Sequence, residues 1–162
     1  MTSVRDVPVA HTPAGGYGTE MPPPILAGCT DPLVEGAPDL AGTWKVVDAR
    51  ANGEALPEDH PIWQHVERIE QAGDRVVVTS SGVVHDMIVD GTFERGVDDV
   101  MAADFTTPIA VAARFEDAVL VLRPRDLPGV EVRRWREGPQ LVWEYHTAFT
   151  ARMERSDVSE TA

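Results

Sequence analysis

From residue 40 to residue 155 the chain is cut into short runs by turn signals at nearly regular intervals. These are Asn52-Gly53, Ala72-Gly73-Asp74, Ser81-Gly82, Gly91, Gly96, Pro108, Glu116-Asp117, Asp126-Leu127-Pro128-Gly129 and Gly138-Pro139. Between them lie runs of five to nine residues rich in valine, isoleucine, threonine or aromatics, and none sustains the 3.6-residue period of a long helix. The runs 44–49, 63–71, 75–80, 83–90, 100–107, 109–115, 119–123, 130–137, 141–145 and 149–155 therefore read as strands in an up-and-down meander. Such a meander leaves long unpaired edges unless it closes. The expected fold is all-β, a single up-and-down antiparallel barrel of 8–10 strands, wide enough to hold one small ligand.

Residues 1–39 are built differently. Residues 1–40 contain seven prolines and five glycines with no sustained period, so this part reads as an irregular arm. Residues 1–20 are expected to be disordered. Residues 21–39 carry Met21, Ile25, Leu26, Leu33 and Val34, and are expected to lie over the barrel mouth as a lid, to wrap its wall, or to serve only as a linker. The barrel domain is then 40–156, and 157–162 is a tail.

The net charge of −13 repels phosphate backbones and anionic headgroups, which argues against nucleic acid or a membrane surface as partner. No apolar run has the length of a membrane helix. Leu26-Ala27-Gly28-Cys29 has the local pattern of a lipoprotein cleavage site, but no apolar stretch precedes it. With Cys29 as its one cysteine the chain suits a reducing compartment, so a cytoplasmic monomer or homodimer is expected.

Alternation is cleanest over 83–90. Val83, His85, Met87 and Val89 fall on one face; Val84, Asp86, Ile88 and Asp90 fall on the other. An unpaired buried carboxylate is costly, so the aspartate face should meet solvent and His85 should point inward beside Met87. Leu141, Trp143 and Tyr145 share a face, with Trp135 on the neighbouring run. Arg134 and Arg136 share the parity of Val132, whereas Arg114 has the parity of the outer face. If 130–137 keeps its parity, Arg134 reaches the interior and binds an anionic group; if it is bulged, the arginine reaches solvent.

Gly42-Thr43-Trp44-Lys45-Val46-Val47 resembles the Gly-x-Trp opening strand of lipocalins and fatty-acid-binding proteins. The stretch 66–78 is similar to the second and third strands of fatty-acid-binding proteins, 134–143 to their penultimate hairpin, and 150–155 to their closing strand. The resemblance is to the calycin superfamily and spans 40–156 in order. It implies that the closing strand pairs with the first. It also implies structural roles for Gly42 and Trp44, with Arg152, or failing that Arg155, over the Trp44 ring as a cation–π partner. In fatty-acid-binding proteins the arginine matching Arg152 instead grips a carboxylate beside a tyrosine. Here Glu154 stands at the tyrosine position, and a second anion would compete for that arginine.

The expected function is binding of a small hydrophobic or aromatic ligand in the cavity. The expected ligand-binding residues are His85, Met87, Trp135, Trp143, Tyr145, Arg134 and Arg152. A cofactor-independent isomerase, cyclase or cycloaddition enzyme on the same barrel is the alternative, with His85 its candidate catalytic residue and Asp104 or Glu144 its candidate partners. A barrel with a filled interior is a third reading. No cofactor is implied by any motif, and haem ligation through His85 is a variant of the binding reading. The remaining histidines lack metal-site spacing with it. Phosphate loops, serine-hydrolase elbows and zinc-protease motifs are absent from the sequence.

Overall fold

The computed structural model describes residues 3–18 and 20–156. Eleven strands follow in chain order: β1 Gly42–Ala51, β2 Glu54–Ala55, β3 Val66–Ala72, β4 Arg75–Ser80, β5 Val83–Ile88, β6 Val97–Val100, β7 Pro108–Glu116, β8 Val119–Pro124, β9 Val132–Glu137, β10 Gln140–Tyr145 and β11 Phe149–Arg155. They form one antiparallel sheet in the order β5-β4-β3-β1-β11-β10-β9-β8-β7-β6, with β2 paired only to β1. The first and last long strands pair, as the resemblance implied, and the sheet curls into a nearly closed barrel. Two short 3₁₀ turns, Val4–Asp6 and Pro61–Gln64, are the only helical pieces among the described residues. Among the described residues no helix is long and apolar enough to cross a membrane.

β1 explains how one strand serves two neighbours. It pairs with β3 over its first four residues and with β11 from Trp44 onward, and the β11 register slips between Val46 and Asp48. The bulge leaves Val47 facing solvent and returns Ala49 to the interior, so the alternation holds across an irregular stretch. At the closed end Trp44 is fully buried and donates from Nε1 to the Leu40 carbonyl at 2.9 Å. The guanidinium carbons of Arg155 and Arg136 lie 4.8 and 5.3 Å from its ring. Trp44 is paired with Arg155 in the ladder, and Arg155 Nη1 leaves little room for a side chain at Gly42. Arg152 does not take this role. Ala151 and Met153 occupy the inward positions of β11, so Arg152 points out and pairs with Glu137 at 2.8 Å.

Residues 3–18 and most of 20–39 lie on the outer wall of β3, β4 and β5. Val4 and Leu26 pack on Ala72, Val77 and Val84 in a second apolar cluster outside the barrel. β4 is thus buried on both faces, which accounts for its uninterrupted valines at 76–78. The Asp86 face is covered rather than solvent-facing. Arg75 and Asp86 form a buried bidentate pair, with Nε–Oδ1 at 2.8 Å. The other guanidinium hydrogens of Arg75 go to the carbonyls of Val4, Val7 and Pro8. Farther along, Glu70 accepts from the backbone N–H groups of Ile25 and Leu26. These carboxylate and guanidinium contacts satisfy arm backbone groups that a proline-rich segment cannot pair with itself.

β5 and β6 are the two ends of the sheet, and no ladder joins them. Three other contacts close the seam. Ile88 donates its backbone N–H to the Arg95 carbonyl at 2.8 Å. His85 bridges from its ring to the Val100 carbonyl at 3.1 Å. The arm straps the outside: Ala10 N–H donates to Asp86 of β5 and Thr12 N–H to Asp99 of β6, both at 2.9 Å. Gly96 permits this close return, because a Cβ there would fall 1.8 Å from the Val111 carbonyl oxygen. Residues 101–107, expected as strand, form a turn instead. Asp104 accepts from the backbone N–H groups of Thr106 and Thr107 and breaks the extended run. The tail 157–162 lies outside the described residues.

Arg75→Met is expected to destabilise the protein by about 3–5 kcal/mol in urea unfolding, because it strands Asp86 without its partner. Arg75→Met combined with Asp86→Leu is expected to cost less than Arg75→Met alone. Equal losses would mean that the arm, not the pair, carries the effect.

Candidate functional site

Away from the Trp44 end the interior opens into a cavity of about 330 Å³. Apolar walls come from the inward residues of six strands, among them Val78, Met87, Val111, Leu122, Val132 and Trp143. Met101, Ala102 and Ala103 from the β6–β7 loop, with Leu127 from the β8–β9 loop, cover its mouth. No arm residue lines it.

One charged cluster breaks this apolar lining. Glu67 on β3 is fully buried and faces Arg134 on β9 across the interior. Arg134 donates from Nε to Glu67 Oε2 at 2.8 Å and from Nη2 to Oε1 at 3.2 Å. His65, at the junction of the 3₁₀ turn and β3, places Nε2 2.8 Å from the same Oε1. Burial opposes the charge on Glu67 and is the largest single influence. The attraction of Arg134, the hydrogen bond and charge of His65, and the hydrogen bond from Arg134 together outweigh it, lowering the carboxyl pKa from 4.5 to about 2. Glu67 is therefore an ionised acceptor, and His65 Nε2 must carry the hydrogen it shares. That leaves His65 Nδ1 on the side of Ser81, whose Oγ is 3.5 Å away.

Trp143 anchors the cluster. The His65 ring stacks on it with centroids 4.5 Å apart, and the Arg134 guanidinium carbon lies 5.1 Å from its centroid. Phe149 and Tyr145 continue the aromatic group toward the mouth, where Tyr145 is 40% exposed. His85, on β5, also lines the cavity. Burial is the main force holding its pKa below the usual 6.5; the Val100 carbonyl and Asp99 act the other way, and nearby Arg134 adds to the depression. A carbonyl only accepts, so His85 Nε2 carries the hydrogen.

Of the seven expected ligand-binding residues, His85, Met87, Trp143, Tyr145 and Arg134 meet in the cavity. Trp135 does not. Its parity is opposite to that of Arg134, and it lies outside against the Val142 pair position with Nε1 donating to Glu137 at 2.8 Å. Arg152 is likewise outside. Asp104 is committed to its own turn, and Glu144 stands one position out of phase with Trp143, so neither partners His85. His65 and Glu67 were missed. Their signal is present as His-x-Glu at strand spacing, two titratable groups on one inward face, but only a cross-barrel cation makes a buried glutamate there tenable.

Neither a family model nor a curated protein matches the sequence. Among solved structures, human cRBP IV, a cellular retinol-binding protein, superposes with a TM-score of 0.52 at 16% identity, over 73% of this chain and 98% of that one. The fold is that of the calycins. Outside the barrel, the arm packs over β3 to β5.

The stabilisation that Glu67 provides is complete above its unfolded-state pKa of 4.5 and is lost as pH falls through about 2. Wild-type protein is expected to lose on the order of 3 kcal/mol more across that acid range than Glu67→Gln does. Urea unfolding at successive pH values gives the two slopes; parallel curves would rule the carboxylate out as the source.

Proposed function

We propose that the protein binds a small, mostly apolar or aromatic molecule inside its barrel, with one polar group of that molecule set against the His65–Glu67–Arg134 cluster. The observation that carries this reading is the cavity of about 330 Å³, apolar on most sides and charged on one. Its size lies at the small end of ligand sites, and its build, an apolar box with a few convergent polar groups, is the usual one. Each 100 Å² of apolar ligand surface buried contributes roughly 2.5 kcal/mol before the cost of ordering the complex. The fold shared with a retinol-binding protein is consistent with such a role. Arg134 spends Nε and Nη2 on Glu67, and Nη1 has no protein partner among the described residues. It is the donor available to a ligand carbonyl or hydroxyl.

A ligand carboxylate fits less well. Glu67 already neutralises Arg134, so a second buried anion would sit beside an ionised carboxylate. A neutral aromatic ketone or alcohol is therefore expected to bind at least about 10-fold tighter than the matching carboxylate, since like charges brought together cost several kcal/mol. Tryptophan fluorescence titration across such pairs measures this. Trp143→Phe is expected to remove most of the quenching, because Trp44 is sealed at the closed end, Trp135 is outside, and Trp63 donates to the Pro57 carbonyl and does not line the cavity. Quenching by no member of a panel of aromatic, polyene and polyketide-like molecules would defeat the proposal.

A second reading, cofactor-independent catalysis of the isomerase or cyclase type in the same cavity, is favoured by one observation: His65 has an orienting carboxylate. Haem ligation by His85 has no comparable support, since its Nε2 already donates to Val100.

A further inference from the structure

We propose that His65 is a general base serving a proton shift on an enolisable carbonyl compound held in the cavity, with Arg134 meeting the carbonyl oxygen; this rests on the binding reading above.

The two cavity histidines are not equivalent. His85 is desolvated, lies near the Arg134 cation and has no carboxylate in contact, so a positive charge on its ring is disfavoured. His65 is the reverse. Its Nε2–H is held by an ionised, fully buried carboxylate, which fixes the tautomer and stabilises the imidazolium formed when Nδ1 accepts a proton. Stacking on Trp143 fixes the ring plane. Glu67 is a positioning residue: Arg134 holds it from the far wall, so its carboxylate cannot swing to the substrate. A structural ion pair needs only Glu67 and Arg134. It does not need a histidine as a third member at the cavity rim, with one nitrogen free of the pair.

The step balances without a co-reactant. Nδ1 takes a proton from the carbon next to the carbonyl. The C–H electron pair becomes the C=C bond of the enolate, and the carbonyl π pair moves to oxygen, where Arg134 Nη1 donates to it. The imidazolium then returns its proton to the same carbon, or to a conjugated one to give the double-bond isomer. Nothing is oxidised or reduced. The site thus takes a small apolar ketone with an acidic α-hydrogen. The titratable groups around His65 are Glu67 on its own strand, Arg134 on β9, Tyr145 on β10, His85 on β5, and Tyr17 and Glu20 of the arm.

The test uses 2-tetralone, an apolar enolisable ketone, with the full chain in D₂O, following loss of its α-proton signals by NMR and its binding by tryptophan quenching. Saturable exchange is expected, falling by roughly 100-fold or more in His65→Asn while binding persists. Glu67→Gln is expected to lower the maximal exchange rate while the half-saturating 2-tetralone concentration stays unchanged. A merely structural Glu67 would leave the maximal rate per folded molecule unchanged. Circular dichroism checks each fold, and His65→Gln makes the same comparison if the asparagine variant does not fold. Bound 2-tetralone without accelerated exchange, or exchange untouched at His65, overturns the proposal and leaves the binding reading standing. Neither quenching nor exchange with 2-tetralone overturns the general-base proposal, and the binding reading falls with it only if the whole panel above also fails to quench.

Discussion

The Glu67–Arg134 pair is the interaction on which the interior depends. It joins β3 to β9, strands separated in the sheet by β1, β11 and β10, and it does so through the middle of the barrel. A buried ion pair is not a cheap source of stability. Well-packed apolar residues of similar volume commonly do as well or better, while loss of one member costs several kcal/mol. Its effect here is architectural. On one side the barrel is filled by Leu40, Trp44, Leu141 and Met153. On the other it stays open, and Arg134, with His65 and Trp143, lines that space above the buried Glu67. Apolar side chains at 67 and 134 would allow the core to continue upward. The charges prevent that by holding polar atoms at fixed positions with unused valences toward the cavity.

A second buried pair, Arg75–Asp86, organises the outside in a parallel way. Alternation places Val77, Val84 and Asp86 on the outer face, a mixed surface poorly suited to water. The arm converts it into a second core. Its backbone supplies the carbonyls that complete Arg75, and Asp86 completes an arm N–H in return. Low-complexity composition predicts disorder because such a chain cannot bury enough of itself to offset its entropy. The sheet provides what the arm lacks: an apolar face and two ions with spare hydrogen-bonding capacity.

Much of the fold was legible in the sequence because turn chemistry and period-two alternation are local. Ser81-Gly82, Gly138-Pro139 and the Val83–Ile88 alternation each mark their place without reference to the rest of the chain. The readings that failed depended on distant partners. Asp86 looked solvent-facing because its counter-ion, although only eleven residues away, is useful only when the arm is docked. Trp135 and Trp143 look alike as strand aromatics, and the parity that sends one out and the other in is fixed by the register of β9 on β10. Arg152 and Arg155 were separable only by knowing which residues of β11 face the core. His65-x-Glu67 lay in plain view, but a glutamate at an inward position argues against burial until a cation from residue 134 is brought across the barrel. Local rules thus gave the wall, and long-range electrostatics decided what the wall encloses.

The mouth shows how these layers connect. The loop over the cavity is held from outside the barrel, by Phe105. Its backbone is left-handed, φ 59°, a conformation costing a side-chain-bearing residue roughly 1–2 kcal/mol. The ring is seated where Cβ atoms at Gly16 and Gly82 would approach it to 2.7 and 3.1 Å. Only glycines leave room there, one from the arm and one from the β4–β5 turn, and the Tyr17 N–H donates to the Gly82 carbonyl at 2.8 Å beside them. Packing of this ring offsets the strained backbone only while the arm is in place. Met101, Ala102 and Ala103, which line the ligand space, are therefore joined through Phe105 to an arm that does not itself line that space.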